Sequence, residues 1–100
     1  MPFSYDSLED RLHANTRKTP KGCWEWTGKR NNYGYGILTR RDPRMPARML
    51  TLPVHRVAYL EVAGRTLKPG HEVSHKCHNP ACWNPAHLIG ETHRQNMRRG

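Results

Sequence analysis

One hundred residues make one small domain, and a chain this short buries only about two-thirds of the surface it exposes when unfolded. Only 35% of the residues are hydrophobic and there is a single Phe, so the core is expected to be thin and a covalent or metal staple is expected to support it. Seventeen Lys and Arg against eight Asp and Glu give a formal charge of +9, which makes polyanions the natural partners; no charged-then-apolar leader and no apolar run of about 18 residues is present, which argues against a secreted or membrane-embedded chain.

In chain order, Ser4 to Lys18 reads as one helix, with Ser4 or Asp6 as N-cap and Leu8 and Leu12 on an apolar stripe, ended by Pro20. Cys23 to Thr27 alternates and is aromatic, as a strand does. Gly28 to Asn32 reads as a turn and Tyr33 to Arg41 as a second strand, the two forming a hairpin. The proline- and arginine-rich stretch from Arg41 to Pro53 reads as an irregular connection. Val54, Val57, Ala58 and Val62 suit a short helix ending at Gly64. Val73 to His75 and His87 to Ile89 make two very short strands around a Pro-, Asn- and Cys-rich loop. Thr92 is then the N-cap of a helix that begins at His93. The expected organisation is a single α+β domain over 1–100: an N-terminal helix (1–20), a β-hairpin region (22–53), a helix (54–64) and a strand-loop-strand-helix unit (72–99).

Three cysteines cannot all pair within one chain, so a metal is the more economical staple. Cys77, Cys82 and His87 recur with four residues between neighbours, in a loop that contains Pro80 and Pro85. A tetrahedral structural zinc takes four Cys or His ligands. Cys23 is the preferred fourth, with His71 and His78 as alternatives. Thiols without metal, buried as small hydrophobes, are the plainer reading. Unpaired thiols also suit a reducing compartment, cytoplasm or nucleus.

The stretch VSHKCHNPACWNPAHLIGETHRQNM, Val73 to Met97, resembles the HNH endonucleases, also called ββα-metal or His-Me finger nucleases. It looks most like the branch in which a zinc loop joins the two strands, as in zinc-containing homing endonucleases and many phage-type HNH proteins. GCWEW, YGYG and VHRVAYL upstream look like the same branch. The resemblance implies a ββα-metal motif and phosphodiester hydrolysis that leaves 5'-phosphate and 3'-hydroxyl ends. In that pattern His75 is the general base, a role an imidazole with an ordinary pKa near 6.5 can fill at neutral pH. Asn96 would hold Mg2+ or another divalent cation through its amide oxygen. Ser74 stands where many relatives carry an acidic residue or His, so one protein ligand for the cation is expected. Asn84 is the better match for the motif's middle Asn, with the role of fixing the loop, and Asn79 competes with it.

An arginine is expected near the scissile phosphate, and Arg56 is preferred over Arg40 and Arg41, with ordinary phosphate docking as the alternative; His55 beside Arg56 could pack under the active-site strands. Double-stranded DNA is the expected partner, read by the basic hairpin through Lys29, Arg30, Arg40 and Arg41, with Lys76, Arg94 and Arg98 on flanking phosphates. One His75 and one Asn96 make one active site. Cutting both strands would take a second visit or a homodimer. A non-catalytic zinc module that binds DNA or RNA would share the charge and the cluster, and a structural partner within a larger assembly is a third possibility.

Overall fold

The computed structural model describes residues 8–42 and 44–99. Helix α1 (Leu8–Ala14) buries Leu12 completely, and Arg11 donates to the Thr39 carbonyl at 2.8 Å. The expected helix to Lys18 is corrected: it ends at Ala14. Asn15 and Thr16 turn their side chains back onto the carbonyls of Arg11 and Leu12, satisfying acceptors that another helical turn would have used. The residues that follow, Thr16–Lys18, become strand β1, antiparallel to β2 (Trp24–Trp26) with Thr16 opposite Trp26. Ser4 and Asp6, the expected caps, lie outside the described residues.

Strand β3 (Ile37–Arg41) pairs with β4 (Met49–Pro53), Thr39 facing Thr51. Two expectations change here. The 23–27 strand does not form a hairpin with the 33–41 segment, because β2 takes β1 as its partner; a bridge from Arg30 to Gly36 ties the intervening turn instead. The second half of the supposedly irregular 41–53 stretch is β4. Its prolines do not interrupt the ladder: Pro46 lies in the connection and Pro53 at the strand end, where a missing N–H costs little. Gly36 is required for close approach, since a Cβ there would lie 2.8 Å from the Trp26 ring.

Helix α2 (Val54–Val57) continues through Ala58–Val62 as a wider π-type turn, in which Ala63 N–H donates to the Ala58 carbonyl at 2.9 Å. Gly64, at φ +65°, ends it as expected. Strands β5 (His71–His75) and β6 (Leu88–Thr92) pair antiparallel, Ser74 opposite Ile89 and His75 opposite Leu88, and α3 (His93–Arg99) follows at once. The entry to α3 is a reciprocal capping box: Gln95 N–H donates to the Thr92 hydroxyl at 3.1 Å and Thr92 N–H to the Gln95 side chain at 2.9 Å. The fold is thus α+β, with three short antiparallel pairs and a ββα unit at the C-terminal side.

The core draws on α1, β2, β3, α2, β5, the β5–β6 loop and β6. Leu12, Trp26, Leu38, Val54, Val57, Ala58, Val73, Trp83 and Leu88 form one buried cluster. Trp83 is its largest member and is fully buried; its indole N–H donates to the Thr16 hydroxyl at 2.7 Å. The loop between β5 and β6 is bound to the outer edge of β2, with Trp26 N–H donating to Ala81 and Trp83 N–H to Trp24, both at 2.9 Å. That pairing brings Cys23 beside the loop. No helix among the described residues is long and apolar enough to cross a membrane.

Candidate active site and metal centre

Cys23, Cys77, Cys82 and His87 converge, each offering one ligand atom, with all four atoms within 4.8 Å of one another. The Cys23 and Cys82 sulfurs each lie 3.6 Å from His87 Nδ1. A tetrahedron with zinc-to-sulfur arms of about 2.3 Å and a zinc-to-nitrogen arm of about 2.0 Å has edges of about 3.5–3.8 Å, so the cluster could hold zinc. Burial pushes the Cys82 thiol up to about 12 and raises that of Cys23, so these thiols would stay protonated on their own. A divalent cation removes that penalty by taking up the thiolate charge. His71 and His78, the alternative fourth ligands, are not in the cluster.

The loop is fixed on both sides of the cluster. Asn84 accepts from Ala86 N–H at 3.0 Å and donates to the Gly22 carbonyl at 2.8 Å, pinning the loop to the turn before Cys23. Asn79 does the matching work on the other side, accepting from Ala81 N–H and donating to Glu25 at 2.8 Å. Arg17, followed by Asn79, holds the Glu25 carboxyl below the usual carboxylate range.

A cleft of about 590 Å³ opens beside this loop, lined by residues that include Tyr35, His55, Arg56, Glu72, His75 and Asn96. His75, the last residue of β5, lies 2.9 Å through Nε2 from the Cys82 carbonyl. A carbonyl can only accept, so Nε2 carries the proton and Nδ1 is the basic nitrogen. The ring stands in a cluster of three mutually tilted rings, its centroid 4.7 Å from His55 and 5.8 Å from Tyr35. Burial, then the nearby His75 and Arg56, push His55 down to about 4, so it is neutral at physiological pH. Its Nδ1 is buried with no hydrogen-bond partner among the described residues.

Asn96 lies one turn into α3, a position set by the Thr92 cap, and lines the same cleft. Its amide donates to Glu72 Oε1 at 3.0 Å, and His93 Nδ1 lies 3.2 Å from that oxygen. The Asn96 amide oxygen is a hard donor in this cleft, of a kind that suits Mg2+ better than a soft metal. Ser74 is buried, and its hydroxyl has no hydrogen-bond partner among the described residues.

Of the arginines, Arg56 is exposed and lines the cleft. Arg40 instead pairs with Glu61 at 2.9 Å and lines a different pocket, beside α2. Arg30 donates twice to the Trp26 carbonyl, and Arg41 donates to the Pro46 carbonyl. Lys29, Lys76, Arg94 and Arg98 are exposed. Sequence reasoning missed Tyr35 and Glu72 as parts of the site. The YGYG stretch was a usable signal for Tyr35, whereas nothing in the sequence marked Glu72.

A strand-loop-strand-helix unit with a histidine at the end of its first strand, an asparagine on its helix and a metal-binding loop between the strands is the arrangement of an HNH nuclease. Residues 52–98, a little under half of the chain, match the family model for HNH endonucleases, which supports an HNH endonuclease assignment and a nucleic-acid substrate. The chain is also similar to Protein 2.8 of Escherichia phage T7, at 32% identity over 89 residues. That match takes in 89% of this chain but only 56% of the phage protein, so the chain spans a little over half of that relative's length. No solved structure matches it.

Proposed function

We propose that this protein is a DNA endonuclease that hydrolyses phosphodiester bonds with His75 as general base, Asn96 as ligand of a divalent cation and Arg56 on the scissile phosphate. The observation that carries this reading is the bond from His75 Nε2 to the Cys82 carbonyl, which leaves Nδ1 as the basic nitrogen in a cleft shared with Asn96 and Arg56. His75 takes a proton from water, the water oxygen attacks phosphorus in line, and the bond from phosphorus to the 3' oxygen breaks. The products are a 5'-phosphate and a 3'-hydroxyl, the departing oxygen taking its proton from solvent. Arg56 offsets the charge that builds on the phosphate oxygens. Bound Mg2+ would supply charge neutralisation at the scissile phosphate and the departing oxygen.

Zinc held by Cys23, Cys77, Cys82 and His87 is structural in this reading, because all four ligands come from the protein and none is left for substrate. Double-stranded DNA is the substrate proposed, with exposed Lys29, Lys76, Arg94 and Arg98 offered to its phosphates. Arg30, Arg40 and Arg41 keep at most a partial share, since all three already serve the fold. One catalytic His per chain cuts one strand per visit, so nicking is the basic event and a homodimer is needed for simultaneous double-strand cutting. A cytoplasmic or nuclear location belongs to the same proposal, supported by the three unpaired thiols, which suit a reducing compartment.

Cleavage of a randomised duplex library in Mg2+, with the ends mapped, tests the proposal and reports strand number and sequence preference together. Ends bearing 5'-phosphate are expected. Intact duplexes retained by a zinc-loaded protein would instead favour a non-catalytic nucleic-acid-binding module.

A further inference from the structure

An asparagine used as a cation ligand has a weakness that aspartate lacks: its two ends are nearly the same size, and only one of them suits a cation. The amide oxygen is a hard donor, whereas the NH2 group is repelled. Something must therefore choose the end of Asn96 that is offered to the cleft. Helix α3 alone does not, because rotation about the last side-chain bond exchanges the two ends without moving the backbone.

We infer that Glu72 is the positioning residue that makes this choice, an inference that rests on the nuclease reading of the cleft. Glu72 is the second residue of β5, and its Oε1 accepts from Asn96 Nδ2 at 3.0 Å. An ionised carboxylate can only accept, so it takes the NH2 end and leaves Oδ1 for the cleft. The flipped amide would set oxygen against oxygen. Among the described residues Glu72 is also the acidic one that lines the cleft, so its charge favours a cation there. His93 Nδ1, 3.2 Å from the same Oε1, holds the carboxylate from the first turn of α3. The three side chains link β5 to α3 across the mouth of the site.

This arrangement gives the position of Glu72, three residues before His75, a reason to be acidic although Ser74 is not. The negative charge that many HNH motifs place beside the base is supplied here by Glu72, two residues before Ser74 in β5. It acts through Asn96, whose oxygen remains the contact to the cation.

The test compares the zinc-loaded full chain with Glu72→Ala and Glu72→Gln, using Mn2+ as a paramagnetic probe. Mn2+ affinity is read by electron paramagnetic resonance with and without a short duplex, and the Asn96 side-chain amide signal by NMR, assigned by its loss in Asn96→Ala. Glu72→Ala is expected to weaken Mn2+ about 10- to 100-fold, shift the Asn96 amide signal and raise the Mg2+ concentration needed for cleavage by a similar factor. The cleavage rate at saturating Mg2+ should remain within about threefold of the parent, a split that general structural damage would not produce. Glu72→Gln keeps the shape and an acceptor oxygen, so it should fall between the two and carries the test should Glu72→Ala not fold. Unchanged Mn2+ affinity with an unshifted amide signal would overturn the inference, as would a tenfold or greater rate loss that saturating metal does not restore. A parent protein that binds Mn2+ in this Glu72-dependent way yet cuts no DNA would defeat the nuclease reading and leave the positioning role standing.

Discussion

Nε2 of His75 lies 2.9 Å from the carbonyl oxygen of Cys82, so the proposed base is oriented by the backbone of a residue whose sulfur belongs to the metal cluster. The candidate metal cluster and the proposed catalytic site are therefore one structure. Whatever loosens the loop at Cys82 also releases the ring of His75.

The first expectation concerns zinc. Structural zinc contributes about 10–16 kcal/mol to small zinc-dependent folds, as much as or more than the roughly 5–15 kcal/mol by which a whole domain is stable. Chelation, or Cys82→Ser, should therefore remove ordered structure, seen as loss of near-ultraviolet dichroism from the buried Trp83 and Trp26. About one zinc per chain is expected by elemental analysis. A chelated, zinc-free protein that keeps its melting transition would refute the structural role.

Acid should destabilise the protein through His55. Its folded pKa of about 4 lies below the ordinary histidine value, so folding favours the neutral ring; that stability is fully present above about pH 6.5 and is lost as pH falls through 4. His75, Arg56 and Tyr35 face it, and the first two disfavour a charged ring. A loss on the order of 2 kcal/mol is expected between pH 6.5 and 4 from denaturant titrations. His55→Gln should flatten that slope, and an equally steep slope in the variant would assign the effect elsewhere.

Trp83 is the largest fully buried side chain, and it lies in the metal loop. Trp83→Ala is expected to cost about 3–5 kcal/mol, and Thr16→Val, which leaves the indole N–H without its acceptor, about 1–3 kcal/mol. Urea midpoints measure both. A smaller loss for Trp83→Ala than for Thr16→Val would contradict this picture of the core.

Arg56 and Arg40 should separate in their effects. Arg56 lines the cleft, so Arg56→Ala is expected to slow cleavage about 10²–10³-fold with little change in melting temperature. Arg40 is paired with Glu61, so Arg40→Ala should move stability by under about 1 kcal/mol and cleavage less than tenfold. Single-turnover cleavage with both variants decides; the reverse order would move the phosphate contact to β3.

Much of the site was legible because its chemistry is written in short spacing. Cys77, Cys82, His87, His75 and Asn96 lie within one stretch, and the turn residues Pro80, Asn84 and Pro85 leave the loop few alternatives to closing on a metal. Cys23, far along the chain, was reachable because it is the remaining thiol. Glu72 was not legible, since its meeting with Asn96 depends on how α3 leaves β6, a relation with no local signature. The same limit explains the strands. Thr16, Arg17 and Lys18 carry no apolar alternation, so β1 exists only because β2 offers an edge, and β4 was hidden by Pro46 in the connection before it and Pro53 at the end of its ladder.

The central claim is that His75 takes the proton from the attacking water, and nicking of supercoiled plasmid by zinc-loaded protein in Mg2+ tests it most directly. His75→Ala should lower nicking by at least about 10²-fold while binding DNA within about threefold of the parent. Nicking by His75→Ala at the parent's rate, with the metal loop intact, would contradict the account.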